Sequence, residues 1–414
     1  MGMKQKIIFF IGLIVCSYGK AQLKPSMRSW LVTLERKDGK NVPFQMEQQL
    51  EKGQIALYII NAKERIKITN IEMAGDSLFF TLPAFESSFR LQTLTDGDMK
   101  GVYIKGTAGA TQYWPVHAYA NVKDRFTAYN GDAKNTISGR WDVSIIRANG
   151  TQRKAVALLE QQGNQLSGSF LTPSGDYRYL AGIVSGDSLK LSAFDGDNVH
   201  LFEAEISDNH TISGGVFYNG YTGKETWAAT KNDDIALPEV DDPPHLRPGE
   251  TKLNFTFNDL HGKPVSIKDE RFKNKVVIIQ IMGSWCANCL DETKFLADYY
   301  KKNRSRGVEI IALAYELTTD IKRSQKSVSK FQQLFNVQYP MLITGVAAGD
   351  DKRTEKTLPQ LTPFKSFPTT IFIDKKGNVR DIHTNFYGPA TGKYYIEYKR
   401  KFYQAVDNLL NEKL

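Results

Sequence analysis

Two cysteines three residues apart, Cys286 and Cys289, with Ala287-Asn288 between them, are the most reactive pairing in the sequence. Exchange between a dithiol and a disulfide needs a thiolate, and an ordinary thiol is mostly protonated at neutral pH. Cys286 follows an apolar run, Val276-Val277-Ile278-Ile279-Gln280-Ile281, and stands just before a helical pattern over residues 287–303. A helix N-terminus presents unpaired N–H groups and the positive end of the dipole, and both stabilise a sulfur anion. Cys289 lies one turn further on, spaced to attack a mixed disulfide held on Cys286 and release its product. Cys286 is therefore the expected nucleophile and Cys289 the expected resolving thiol. The rival chemistry for such a pair is half of a zinc site, which wants a second Cys or His pair at ligand spacing. The six histidines are scattered, and His245, His261 and His383 make no such pair, so neither metal nor cofactor is expected.

The elements needed to hold this pair read as an α/β layout with a mixed sheet over residues 251–414. Leu253 to Phe257 reads as a strand leading into the Gly262-Lys263 turn. The run at 276–281 has the near-continuous apolar character of a strand buried on both faces. In the helix over 287–303, Leu290, Phe295, Leu296 and Tyr299 are expected to point inward. Val308 to Ala314 is a second buried strand, a polar helix follows at 322–336, and Met341-Leu342-Ile343 is a short strand. Thr369 to Ile373 and Val379 to His383 pair across the Asp374–Asn378 turn, and a last helix covers 391–412. Residues 345–363 read as an inserted loop. Asp291 reads as solvent-facing, and Glu316 as a solvated strand-end acid, with a place facing the Cys pair as its second reading.

At 414 residues the chain is too long for one ordinary core. Residues 24–232 read as strands throughout, broken by turn signals such as Asn149-Gly150 and Asn219-Gly220. That spacing implies a sandwich or barrel. The region is also duplicated. Trp30 and Gly39 recur as Trp141 and Gly150, and Gly75-Asp76-Ser77-Leu78 recurs at the same offset as Gly186-Asp187-Ser188-Leu189. Trp114 recurs as Trp227, slightly further on, so a small insertion lies between. Two tandem antiparallel β-units are expected, at 24–120 and 137–232, with the tryptophans as core. An acidic, proline-stiffened linker, 233–250, joins them to the α/β part.

The N-terminus carries Lys4 and Lys6, an apolar run from Ile7 to Val15, and Gly19-Lys20-Ala21 as a small-residue cleavage site. Residues 1–21 thus read as a secretory signal peptide, which points to the periplasm or cell envelope. Leu13-Ile14-Val15-Cys16 offers a second reading as a lipoprotein site, against which stands the bulky Val15. Removal of Cys16 with the signal leaves one close Cys pair, which closes too small a loop to be a structural staple. No later stretch is long and apolar enough to span a membrane. The net charge of +9 comes without a dense basic run, so nucleic acid is not an expected partner.

Gly283-Ser284-Trp285-Cys286-Ala287-Asn288-Cys289-Leu290-Asp291-Glu292 resembles the active-site stretch of the TlpA/ResA-like branch of the thioredoxin superfamily. Ser366-Phe367-Pro368-Thr369-Thr370 and the following Ile-Phe-Ile-Asp-Lys-Lys-Gly carry the same resemblance, over about residues 250–414. The resemblance implies a thioredoxin fold and exchange with protein thiols and disulfides, fed by a membrane or periplasmic electron donor. It implies that Trp285 shapes the face around the nucleophile. It makes Pro368 the family's cis proline, with the Phe367 backbone beside Cys286 to receive a substrate peptide. It places Glu292 near the cysteines, where burial would raise its pKa and let it exchange protons with Cys289. Two positions depart from the family pattern: Asn288 and Lys294 stand where proline is frequent. The residues between the cysteines influence redox poise, so the motif does not fix the direction of exchange.

Reduction of partner disulfides, including those of apocytochromes, is what the family suggests first. A thiol peroxidase shares the fold, but usually carries Thr two to three residues before its cysteine, where this chain has Gly283-Ser284. A third reading makes the β-units a binding protein served by an accessory redox domain.

Overall fold

The computed structural model describes residues 28–127 and 131–413. The signal-peptide pattern and Cys16 lie outside them.

Strand-forming runs with inward-facing alternate residues build two nine-stranded antiparallel sheets. The first runs from Ser29–Glu35 to Gln112–Ala120, the second from Gly139–Ile146 to Gly223–Lys231. In each, the first strand pairs with the last, and the intervening strands follow as a meander. The units differ in closure. In the second, Gln165–Thr172 pairs both with Gln152–Gln162 and with Leu180–Ser185, so the ring closes into a barrel. In the first, Gln54–Asn61 pairs onward with Glu64–Ile68, and the sheet ends there.

The units share a core. Phe194 of the second enters the aromatic cluster of the first, 4.6 Å from Phe44 and 5.2 Å from Tyr103 between ring centres. Asn61 Nδ2 donates to the Phe194 carbonyl at 2.8 Å. Trp30, Trp114, Trp141 and Trp227 are all buried, the first two in this core and the others in the core of the second barrel.

The C-terminal part is a seven-stranded mixed sheet. An interior strand, Val276–Met282, is buried along its whole length. It runs parallel to Val308–Ala314 and antiparallel to Thr369–Ile373. Helices α1 (Ala287–Asn303), α2 (Ile321–Phe335), α3 (Arg353–Thr357) and α4 (Lys393–Asn411) complete it. Phe295, Leu296 and Tyr299 of α1 are core residues, whereas Leu290 is only half-buried. The strand expected at 253–257 forms at Thr256–Asp259.

Residues 345–363 are packed rather than looped out. They contain α3, and Leu358 and Leu361 are fully buried. The linker is tied to them: the Arg247 N–H donates to Gln360 O at 2.8 Å, and the His245 N–H to Thr362 Oγ1 at 2.9 Å. Both β-units also dock on the α/β part. Glu86 of the first accepts from Arg323 of α2 at 2.7 Å, and Tyr387 donates to Thr172 O of the second at 3.2 Å. Among the described residues, no helix is long and apolar enough to cross a membrane.

Candidate active site

The buried strand Val276–Met282 ends, and the short turn after it delivers Cys286 to the N-cap of α1. Its sulfur accepts the Cys289 N–H at 3.2 Å, in the place where capping residues take an orphan helix donor. Cys286 and Cys289 are joined as a disulfide with Cα atoms 5.2 Å apart. Cys289 is fully buried, while Cys286 keeps 8 % of its surface. That asymmetry suits one attacking and one shielded sulfur.

Three sequence-expected residues surround Cys286. Its sulfur lies 3.6 Å from the Phe367 carbonyl oxygen, and the Phe367–Pro368 bond is cis. Trp285 donates its ring N–H to Tyr315 O at 2.9 Å and packs edge-on against Phe367, 5.3 Å between centres. Arg353 of α3 sits over the rings of Phe364 and Phe367, so the packed 345–363 segment braces this wall.

Glu292 is buried one turn beyond Cys289. Its carboxylate accepts from Thr370 Oγ1 at 2.6 Å, Tyr398 OH at 2.8 Å and Gln280 Nε2 at 2.9 Å. Burial raises its pKa, and the three hydrogen bonds only partly offset that. Gln280, Thr370 and Tyr398 were not foreseen. Gln280 had a readable signal, being the one polar residue of an otherwise apolar buried run.

A carboxyl held above its ordinary pKa takes up a proton on folding, so its contribution to stability falls as pH rises through that window. Glu292→Gln removes that dependence. Glutamine also removes the negative charge one turn from Cys289, which favours its thiolate. The pH midpoint for alkylation of the reduced pair should therefore move down. An unchanged alkylation profile would separate Glu292 from the cysteines.

Two acids expected in solvent are buried. Glu316 accepts from the Ser284 N–H at 2.9 Å and from Ser284 Oγ at 2.5 Å. It thereby clamps the turn that carries Cys286, and burial pushes its pKa up to about 7. Asp291 is covered by the second β-unit, whose Arg178 Nε lies 3.1 Å from it. Arg178 also pairs with Glu64 at 2.6 Å and with Asp195 at 3.6 Å. One cation among several acids does not offset the burial, and Asp291 is pushed up to about 6.

The second β-unit continues over the cysteines. Gly175, at φ 137°, lies so close that an added Cβ would sit 2.1 Å from Asn288 Nδ2. Beside this contact is a chamber of about 300 Å³, walled by Cys286, Asn288, Trp285 and Phe367 on one side and by the second barrel on the other.

A Cys-x-x-Cys pair capping the first helix of such a sheet, opposite Phe367-Pro368, defines a thioredoxin-fold redox protein. Residues 247–389 match the Redoxin family model. The thiol-disulfide oxidoreductase ResA of Bacillus thuringiensis is 32% identical over 131 residues, covering 32% of this chain and 66% of that one. ResA of Bacillus cereus is 30% identical over 138 residues, covering 33% of this chain and 70% of that one. A solved thioredoxin-family thiol:disulfide interchange protein from Chlorobium tepidum is 19% identical, covering 42% of this chain and 100% of that one, with a TM-score of 0.29. The chain belongs to the TlpA/ResA-like thiol–disulfide oxidoreductases of the thioredoxin superfamily, and spans 66% of the length of the first of these relatives.

Proposed function

We propose that this chain is an exported reductase of protein disulfides, working in the periplasm or cell envelope. The thiolate of Cys286 attacks one sulfur of the partner disulfide. The old S–S bond breaks, a mixed disulfide forms, and the departing partner thiolate takes a proton. Cys289 then attacks Cys286 and releases the second partner thiol, leaving the Cys286–Cys289 disulfide. Two electrons have passed to the partner, and a reduced dithiol donor at the membrane or in the periplasm restores the pair.

The observation that carries this reading is the setting of Cys286. Its sulfur takes a helix N-terminal N–H, which stabilises a thiolate, and it keeps the accessible position of the pair. Glu292 serves as the proton store for Cys289. Trp285, Phe367 and Pro368 form the face on which a partner lies. The Lys4–Ala21 pattern supports export, and the family suggests apocytochromes among the partners.

The direction of exchange is tested by the reduction potential of the pair. Equilibration with dithiol–disulfide buffers should place it below about −150 mV, on the reducing side of the strong oxidants of this fold. A higher value would make the protein an oxidase or isomerase.

A further inference from the structure

The chamber over Cys286 has a wall that the duplicated β-unit makes polar in its second copy. Val42 pairs with Leu34 in the first unit, and both are fully buried. At the matching register of the second unit, Arg153 pairs with Ile145. Ile66 of the first unit is likewise matched, at the same offset, by Tyr177. Arg153, Tyr177 and His200 all line the chamber, beside Arg178 and the carboxylates of Asp176, Asp195 and Asp197. The copy that covers the cysteines has thus exchanged apolar side chains for hydrogen-bonding ones.

Two polar atoms at the chamber, one on each side, lack a hydrogen-bond partner among the described residues. Arg153 spends Nη2 on Glu225 at 2.8 Å, but its Nε is buried without an acceptor. Across the chamber, Asn288 Oδ1 is buried without a donor. Leaving buried polar atoms unpaired is costly, so such groups commonly serve a ligand. His200, packed edge-on against Tyr177 and Phe217, adds an imidazole that desolvation keeps neutral, its pKa pushed down to about 4.

We propose that this chamber is a binding site for a low-molecular-weight polar disulfide of the cystine type, whose carboxylate meets Arg153 and whose ammonium meets Asn288 Oδ1. This rests on the exchange chemistry proposed for Cys286 and adds a substrate class to it. The volume of about 300 Å³ stands at the small end of ligand pockets, which run to about 1,000 Å³. It suits an amino-acid disulfide. In the reaction, Cys286 attacks one sulfur of the bound disulfide, one amino-acid thiol leaves, and Cys289 releases the other.

The test uses the full chain, reduced beforehand, with cystine and with uncharged bis(2-hydroxyethyl) disulfide as probes. The wild type should show saturable oxidation by cystine. Arg153→Val, which installs the first unit's residue, should raise the KM for cystine about tenfold, the worth of one charge-assisted hydrogen bond. Its rate with the uncharged probe should be unchanged. Arg153→Lys keeps a charge for Glu225 but lacks Nε, so it should show the same selective loss even where the valine variant folds poorly. Cystine oxidation that never saturates, or that both variants leave unchanged, overturns the proposal while leaving the exchange chemistry intact. Failure of the wild type to react with either probe overturns both.

Discussion

Replacing Cys286 with serine should abolish reduction of insulin disulfides, a fall of about 10³-fold or more, as expected when the covalent nucleophile is removed. The serine hydroxyl can take the same Cys289 N–H, so the helix cap and the fold survive. It cannot ionise or accept a disulfide sulfur, so the chemistry does not. Cys289→Ser should behave differently. Cys286 remains able to attack, but nothing resolves the product, and mixed disulfides with partners should accumulate. A Cys286→Ser protein that still reduces insulin would move the nucleophile elsewhere. Trapping through Cys286→Ser rather than Cys289→Ser would reverse the two roles.

The cysteines, the strand before them and the helix after them were legible because each rests on local pattern. An apolar run, a helical period and a Cys pair at their junction follow one another directly along the chain. The duplication was legible for the same reason, since a constant offset between Trp30 and Trp141 and between Gly75 and Gly186 needs no three-dimensional information. The difference in closure between the two units was not. It depends on whether Gln165–Thr172 finds a second neighbour, and nothing in its own residues says so. Asp291 and Glu316 were misread on similar grounds. On its own helix Asp291 looks like an acid facing water, yet Arg178, far back in the chain on the second β-unit, buries it. Glu316 ends a strand, where acids are commonly solvated, and only the fold of the Gly283–Trp285 turn brings Ser284 onto it. Pattern within an element shows which face is apolar. It does not show what another unit places on the polar face.

The buried ion cluster at that junction makes the second large prediction. Arg178 is nine-tenths buried and faces Glu64 of the first unit, Asp195 of its own, and Asp291 of α1. Its backbone holds a left-handed conformation, φ 54°, secured by Asp176 Oδ1 accepting its N–H at 2.7 Å. Methionine at this position keeps the stem and deletes the cation. Removing one partner of a buried ion pair costs about 3–5 kcal/mol, because the charges left behind have lost their compensation. Arg178→Met should therefore lower the free energy of unfolding by about that amount. The pH dependence carries the sign. Glu64, Asp176 and Asp291 already have raised pKa values through burial, and loss of the cation raises them further. The folded variant then binds more protons than the unfolded chain, so its stability increases as pH falls through their titration. Urea unfolding should show the largest deficit relative to wild type at pH 8 and a smaller one at pH 5. The same change loosens the second β-unit from α1, so Cys286 in the reduced variant should alkylate faster than in the wild type at equal pH. A deficit that is the same at both pH values would assign Arg178 to packing alone. Unchanged alkylation would mean that the roof over the cysteines is held by Gly175 and the Tyr387–Thr172 contact without it.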